Sequence, residues 1–189
     1  MQWLWIIPGV LVLALVLIYN GLIVKKNRVD NAFSTIDVML KKRYDLIPNL
    51  VSTVKGYSEH ERSTLEEVTR LRQQAMSSAS TEQRIATDNL LSGVLSRLIA
   101  TVENYPELKA SDHFMSLQRS LSEIEEQLSA SRRAYNAAVT GYNTSIELFP
   151  TSLLAGTMGF GRRTLLEALA RERSAPSIRE ALADDSAHS

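Results

Sequence analysis

Residues 3–24 read WLWIIPGVLVLALVLIYNGLIV, and this run decides the architecture. It carries no charged side chain and is as long as a helix needs to be to cross a bilayer's hydrocarbon core, about 20 residues. Trp3, Trp5 and Tyr19 are amphipathic rings that suit the two interfaces, and Val24 closes the span. Pro8 falls in the first turns, where few backbone donors are lost. A cleaved signal peptide would want a basic start, a shorter apolar run and a small-residue cleavage site. Met1-Gln2 has no charged side chain and Tyr19-Asn20-Gly21-Leu22 is a poor cleavage sequence, so residues 1–26 are expected to stay as a single-pass anchor. Lys25, Lys26 and Arg28 follow the span and nothing basic precedes it. Positive residues stay cytoplasmic, which predicts the N-terminus outside and the rest of the chain in the cytoplasm.

Outside the span the chain is charged and periodic. Val29, Phe33, Ile36, Leu40, Tyr44, Ile47, Val51 and Val54 step by three or four, which is one buried stripe on a helix continuing the anchor. Pro48 lies inside that stripe and predicts a kink rather than an end. Gly56 is the first strong breaker, and Ser58 with Glu61 reads as a capping box. A second helix follows through Leu65, Val68, Leu71 and Ala75. Ser80 with Gln83 is another cap signature, opening a third helix through Ile85, Leu91, Val94, Leu95, Leu98 and Val102. The last long helix, capped by Ser111, carries Phe114, Leu117, Leu121, Ile124, Leu128, Ser131, Tyr135, Ala138, Tyr142, Ile146 and Phe149 on a heptad-like seam that Pro150 stops.

Helix lengths choose the topology. Without a turn near Gly56, one helix of roughly 75 Å would face partners of about 35 and 55 Å. With the turn, an outward helix of about 40 Å, a pair of about 30–35 Å and a long return helix fit an all-α fold, in which the anchor continues into an antiparallel up-and-down four-helix bundle over residues 27–160. Four crossings return the chain to the membrane, which puts the apolar segment FPTSLLAGTMGF, residues 149–160, at the bilayer surface or against the anchor. Beyond it, Leu165, Leu166 and Leu169 suggest a short amphipathic helix, and residues 161–189 are expected to be a divergent, partly disordered tail.

The charge and residue inventory narrows function. The 21 basic and 21 acidic residues cancel, which leaves no electrostatic footprint for nucleic acid. The chain has no Cys, which removes disulfides, thiol nucleophiles and Cys-ligated zinc. His60 and His113 sit beside acidic residues without metal-ligand spacing. Gly156, Gly159 and Gly161 match neither phosphate-loop nor dinucleotide spacing. No catalytic, cofactor-binding or metal site is expected, and the runs Lys41-Lys42-Arg43 and Arg132-Arg133 read as solvated helix faces.

Two constellations stand out. Arg43, Asp45 and Asn49 surround Pro48, where Asn49 could satisfy a backbone group freed by the proline. Tyr135, Tyr142 and Phe149 recur every seven residues, with Asn136 and Asn143 one position round. Each set is a candidate interface or a structural motif.

Read together, these strings resemble a known family. Tyr19-Asn20 leaves the anchor, RYDLIPNLV occupies residues 43–51, Val54-Lys55-Gly56-Tyr57 follows, and Tyr135-Asn136, Tyr142-Asn143, Phe149-Pro150 and Gly159-Phe160 close the series. The pattern resembles the LemA family of bacterial membrane proteins from the anchor to about Phe160. The resemblance implies a membrane helix with a short outside N-terminus, a helical bundle and no known enzymatic activity. The reading is therefore a non-enzymatic scaffold in the bacterial cytoplasmic membrane that self-associates and needs no cofactor. Its rival is an adaptor for another membrane protein, such as a signalling receptor or protease.

Overall fold

The computed structural model describes residues 3–57 and 61–166, and side chains from Ile6 onward except those of residues 81 and 82. Ser58, Glu59 and His60, the Trp3 and Trp5 side chains, and the tail from residue 167 with Leu169 lie outside the described residues. Among the described residues the only regular structure is helix. Helix α1 runs Trp3–Lys55, α2 Arg62–Ser77, α3 Thr81–Val102, α4 Pro106–Lys109, α5 Asp112–Glu147 and α6 Thr151–Leu154.

The first helix is 53 residues long and contains both Pro8 and Pro48. Its two halves have opposite surroundings. Ile7, Val10, Leu11, Leu13 and Leu17 are all more than half exposed, as the lipid-facing side chains of a membrane helix would be. From Val29 onward the stripe Val29, Ile36, Leu40, Tyr44, Ile47, Leu50 and Val54 is buried, with Phe33 and Val51 partly so. α1 ends at Lys55, and the Tyr57 amide turns back onto the Val54 carbonyl at 3.0 Å, so the break falls at Gly56 as its sequence predicts.

The caps are mixed. Ser80 accepts the Gln83 amide at 3.2 Å, as the cap signature requires. Glu61 and Ser111 stand at the N-cap positions of α2 and α5 without a side-chain cap bond. Pro106 begins α4, whose Leu108 is fully buried.

α1 packs along α5 and against α2, and α2 packs along α3. Lys25 donates to the Ser145 hydroxyl, the Phe33 ring meets Tyr135 edge-on at 5.8 Å, and Arg43 lies 3.2 Å from Glu125. Partner numbers on α5 therefore fall as numbers on α1 rise. Across the other faces, Arg72 donates to the Tyr44 carbonyl at 2.7 Å and Arg84 pairs with Asp37 at 2.6 Å. Of the amphipathic helix expected after Arg162, residues 161–166 carry no helix, and the rest of it, with Leu169, lies outside the described residues.

The α5 seam supplies the core's axis, with Phe114, Leu117, Leu121, Leu128, Tyr135, Val139, Tyr142 and Ile146 buried. Leu128 is fully enclosed. Leu128→Ala is expected to cost about 2–5 kcal/mol, read as a lowered thermal or urea midpoint by circular dichroism. Met115→Ala, on an exposed position of the same helix, is expected to leave the midpoint within about 0.5 kcal/mol.

Candidate functional site

The two motif strings build two devices. The first is on α5. Tyr135 and Tyr142 are seven residues apart, and so are Asn136 and Asn143, a rise of about 10.5 Å along the helix. Facing them is the strap formed by residues 161–166. Asn143 Nδ2 donates to the Arg163 carbonyl at 2.8 Å, and its Oδ1 accepts the Arg163 amide at 2.9 Å. Asn136 repeats this on Leu166, at 2.9 and 2.8 Å. The Tyr142 hydroxyl donates to the Gly161 carbonyl at 3.0 Å, and that of Tyr135 to the Thr164 carbonyl at 3.1 Å.

The register is a length match. Seven helical residues rise as far as three fully extended residues, at about 3.5 Å each. Each step down α5 by seven therefore meets a step up the strap by three. Each asparagine amide takes one donor and one acceptor from a single strap residue, as a neighbouring β-strand would. The tyrosine rings meanwhile fill core positions, and burial raises the Tyr142 phenol's pKa. Phe149, in phase with both tyrosines, does not join them. It lies beyond the end of α5 and is 79% exposed.

The second device is a buried polar cluster. Arg43 on α1 and Arg132 on α5 converge on Asp88 of α3, with nitrogen–oxygen distances of 3.2 and 3.3 Å. Arg43 also reaches Glu125 at 3.2 Å, and Arg132 donates to Asn89 Oδ1 at 3.2 Å. Asp88 is wholly buried, and Arg43 and Arg132 are at most 5% exposed. Burial pushes the Asp88 carboxyl's pKa up, and the two guanidiniums pull against that shift. Burial first, and the Asp88 charge second, also raise that of the adjoining Tyr44 phenol. A cleft of about 300 Å³ opens beside the cluster, lined by Arg43, Ser92, Leu95, Leu121 and Glu125.

Two sequence expectations are corrected here. Lys41 and Lys42 are exposed, but Arg43 is not part of a solvated face; Arg133 is exposed, but Arg132 is buried. Asp88 was not singled out at all. Its signal is phase: it stands three residues after Ile85 and three before Leu91, on the apolar stripe. A carboxylate there requires a buried cation.

The remaining candidates are placed as follows. Asp45, Pro48 and Asn49 are exposed along α1, and the Asn49 carbonyl accepts the Ser52 and Thr53 hydroxyls. Pro150 is exposed after α5, and Gly159 takes φ +77°, open to glycine at no cost. Phe160 is buried and meets Tyr19 edge-on at 5.7 Å. Val24 and Arg28 are exposed, and Lys25 and Lys26 are half-buried. Among the described residues, no group of three or more His, Asp or Glu side chains is gathered to hold a metal ion.

A long apolar helix leading into a helical body whose motif residues fasten it internally defines a membrane-associated helical protein. The chain belongs to the LemA family, whose sequence model matches residues 32–179. It is 26% identical over 156 residues to Protein LemA of Metamycoplasma hominis, covering 82% of this chain and 71% of that protein. It is 25% identical over 170 residues to Magnetosome protein MamQ 1 of Paramagnetospirillum magneticum, and 24% identical to Magnetosome protein MamQ of Magnetospirillum gryphiswaldense. The two MamQ alignments cover 76% of this chain and 62% of each relative.

Asp88→Ala leaves two buried guanidiniums facing each other and is expected to destabilise the fold by about 3–5 kcal/mol. Arg62→Ala, which breaks the exposed pair with Glu66, is expected to cost under about 0.5 kcal/mol. Paired urea melts check both. Asn143→Ala removes both bonds to Arg163, worth about 1 kcal/mol each. It is expected to speed amide hydrogen exchange at Arg163 by at least about tenfold, with Leu166 still protected by Asn136.

Proposed function

We propose that this chain is a non-enzymatic scaffold of the bacterial cytoplasmic membrane, anchored by one span with its N-terminus outside. Its body is an antiparallel, up-and-down four-helix bundle of α1, α2, α3 and α5 on the cytoplasmic face, and it self-associates there. The observation that carries this reading is α1 itself. One uninterrupted 53-residue helix is both the lipid-facing segment and the first helix of the body, so the bundle is held rigidly at the membrane. The opposed numbering of the α1–α5 contacts and the turn at Gly56 support the up-and-down order. Lys25, Lys26 and Arg28 support the cytoplasmic side.

The most distinctive polar residues are engaged with one another or with the strap, which favours a role in shape and position over one in chemistry. Confinement to two dimensions raises effective concentration, so weak contacts between bundles suffice for assembly. The magnetosome named in the MamQ relatives supports a role at a membrane compartment. A second reading, an adaptor for another membrane protein, is favoured by one feature. A groove of about 1160 Å³ opens between the end of α1 and α2, lined by Val51, Lys55, Arg62, Leu65, Glu66 and Arg70.

Light scattering of the full chain in mild detergent, beside a form beginning at Asn27, separates the readings. A defined oligomer of the full chain is the expected result. Monomers for both forms would remove self-association and put the adaptor ahead.

A further inference from the structure

The geometry points to a second membrane contact: the hairpin of residues 148–161 is a wedge seated in the lipid interface beside the inner end of the α1 span. The argument begins with level. Lys25, the first charge after the span, donates to Ser145, so the two stand at one height. From Ser145, α5 runs two more residues to Glu147, about 3 Å nearer the span's interior at helical rise, and Phe149 follows beyond its end. The hairpin's other arm agrees independently. Phe160 packs on the Tyr19 ring, six residues inside Lys25 or about 9 Å. Ile18, Leu22 and Ile23 of the span are covered in the same apolar cluster as Ala155, Met158 and Phe160. The hairpin thus occupies the depth at which amphipathic segments seat in a bilayer, about 5–10 Å.

Chemistry follows the level. Residues 148–161, LFPTSLLAGTMGFG, contain no charged side chain. Leu148, Phe149 and Leu153 are 59%, 79% and 70% exposed, large apolar groups turned away from the bundle. Charges begin at the hairpin's neck, where Glu147 and Arg162 pair at 3.2 Å. Arg163 pairs with Asp30 at 3.4 Å on the neighbouring α1 turn, near Lys25, Lys26 and Arg28. A band of ionised groups on α1, the end of α5 and the start of the strap therefore bounds the hairpin, with only apolar and small polar side chains on its span side. That is the charge profile of a headgroup boundary. The occupant of the exposed face is the lipid that surrounds the span, because the wedge is continuous with the span's own lipid-facing surface.

This inference rests on α1 spanning the bilayer but not on self-association. The chain has no Cys, so single cysteines can carry an environment-sensitive fluorophore. Labels at Phe149→Cys, Leu153→Cys, Val12→Cys within the span and Met115→Cys on the far part of α5 go onto exposed positions, where folding tolerates them. The full chain is reconstituted into vesicles of phosphatidylcholine and phosphatidylglycerol, with spin-labelled lipids as quenchers at shallow or deep positions. The wedge predicts deep quenching at Val12, shallow quenching at Phe149 and Leu153, and none at Met115. Quenching at Val12 with Phe149 and Leu153 behaving like Met115 overturns the wedge and leaves the anchor standing. No quenching at Val12 overturns the anchor and the wedge together. Labels at Phe149 and Leu153 that are shielded from aqueous iodide but unquenched by lipid, with shielding lost on dilution into excess lipid, would assign the face to a second copy and overturn the lipid assignment.

Discussion

Everything axial in this molecule is referred to one constraint: α1 does not stop at the membrane surface. A helix that is lipid-facing over its first half and core-facing over its second cannot slide or rotate in one environment without doing so in the other. A shift of one residue turns a helix by about 100° and moves it about 1.5 Å. It would carry Val29, Ile36, Leu40, Tyr44 and Ile47 off the core while moving Lys25 relative to the bilayer. The bundle's register and the membrane's position are thus one degree of freedom. Ties to α5 at Ser145, Tyr135 and Glu125 then pass that register to the return helix.

Inside the bundle, polar side chains do what apolar packing does poorly, which is to choose one arrangement among many of similar burial. Leucines and valines fit several rotational settings of a helix pair. Asp88 pairs with Arg43 and Arg132 together only when α1, α3 and α5 meet at one height and one rotation. The cost of burying these charges is high, and their mutual attraction roughly offsets it, so their contribution lies in specificity more than in net stability. The strap obeys the same logic. Its four side-chain partners on α5 bind backbone groups of residues 161–166 and so fix where the strap runs, while Arg162 and Arg163 add ion pairs to Glu147 and Asp30.

What the sequence disclosed follows from what periodicity measures. The stripe from Val29 to Val54, the break at Gly56, the Ser80–Gln83 cap and the α5 seam as far as Ile146 are local patterns, and each is present in the fold. Periodicity says which face of a helix is buried but not which helix lies opposite. Asp88 is 45 residues from Arg43 and 44 from Arg132, and no local rule connects them. Arg132 adjoins Arg133 in what reads locally as a basic pair, yet it lies four residues from Leu128 on the buried face. The Tyr-Asn repeat was visible as a stripe, while its partner was not. The strap's backbone has no sequence signature, since side chains that contact only main-chain atoms place no demand on residue type.

An even number of long helices has a consequence that the anchor alone does not. On the proposed reading it delivers the end of α5 to the height where α1 leaves the membrane, and the chain then turns there among lipid, protein and water at once. A turn exposes backbone groups, and unsatisfied ones are costly away from water. Residues 148–160 meet this demand internally: the Ser152, Ala155 and Met158 amides donate to Leu148, Thr151 and Leu154, and the Phe160 amide closes onto Ala155 at 2.9 Å. Gly159, with its positive φ, allows that closure. The turn then hands the chain to the Tyr-Asn ladder, which draws it back along α5 away from the membrane. On the proposed membrane reading, helix count, the self-satisfied apolar turn and the ladder act as one solution to the problem set by α1, that of returning a chain to a bilayer and leading it away again.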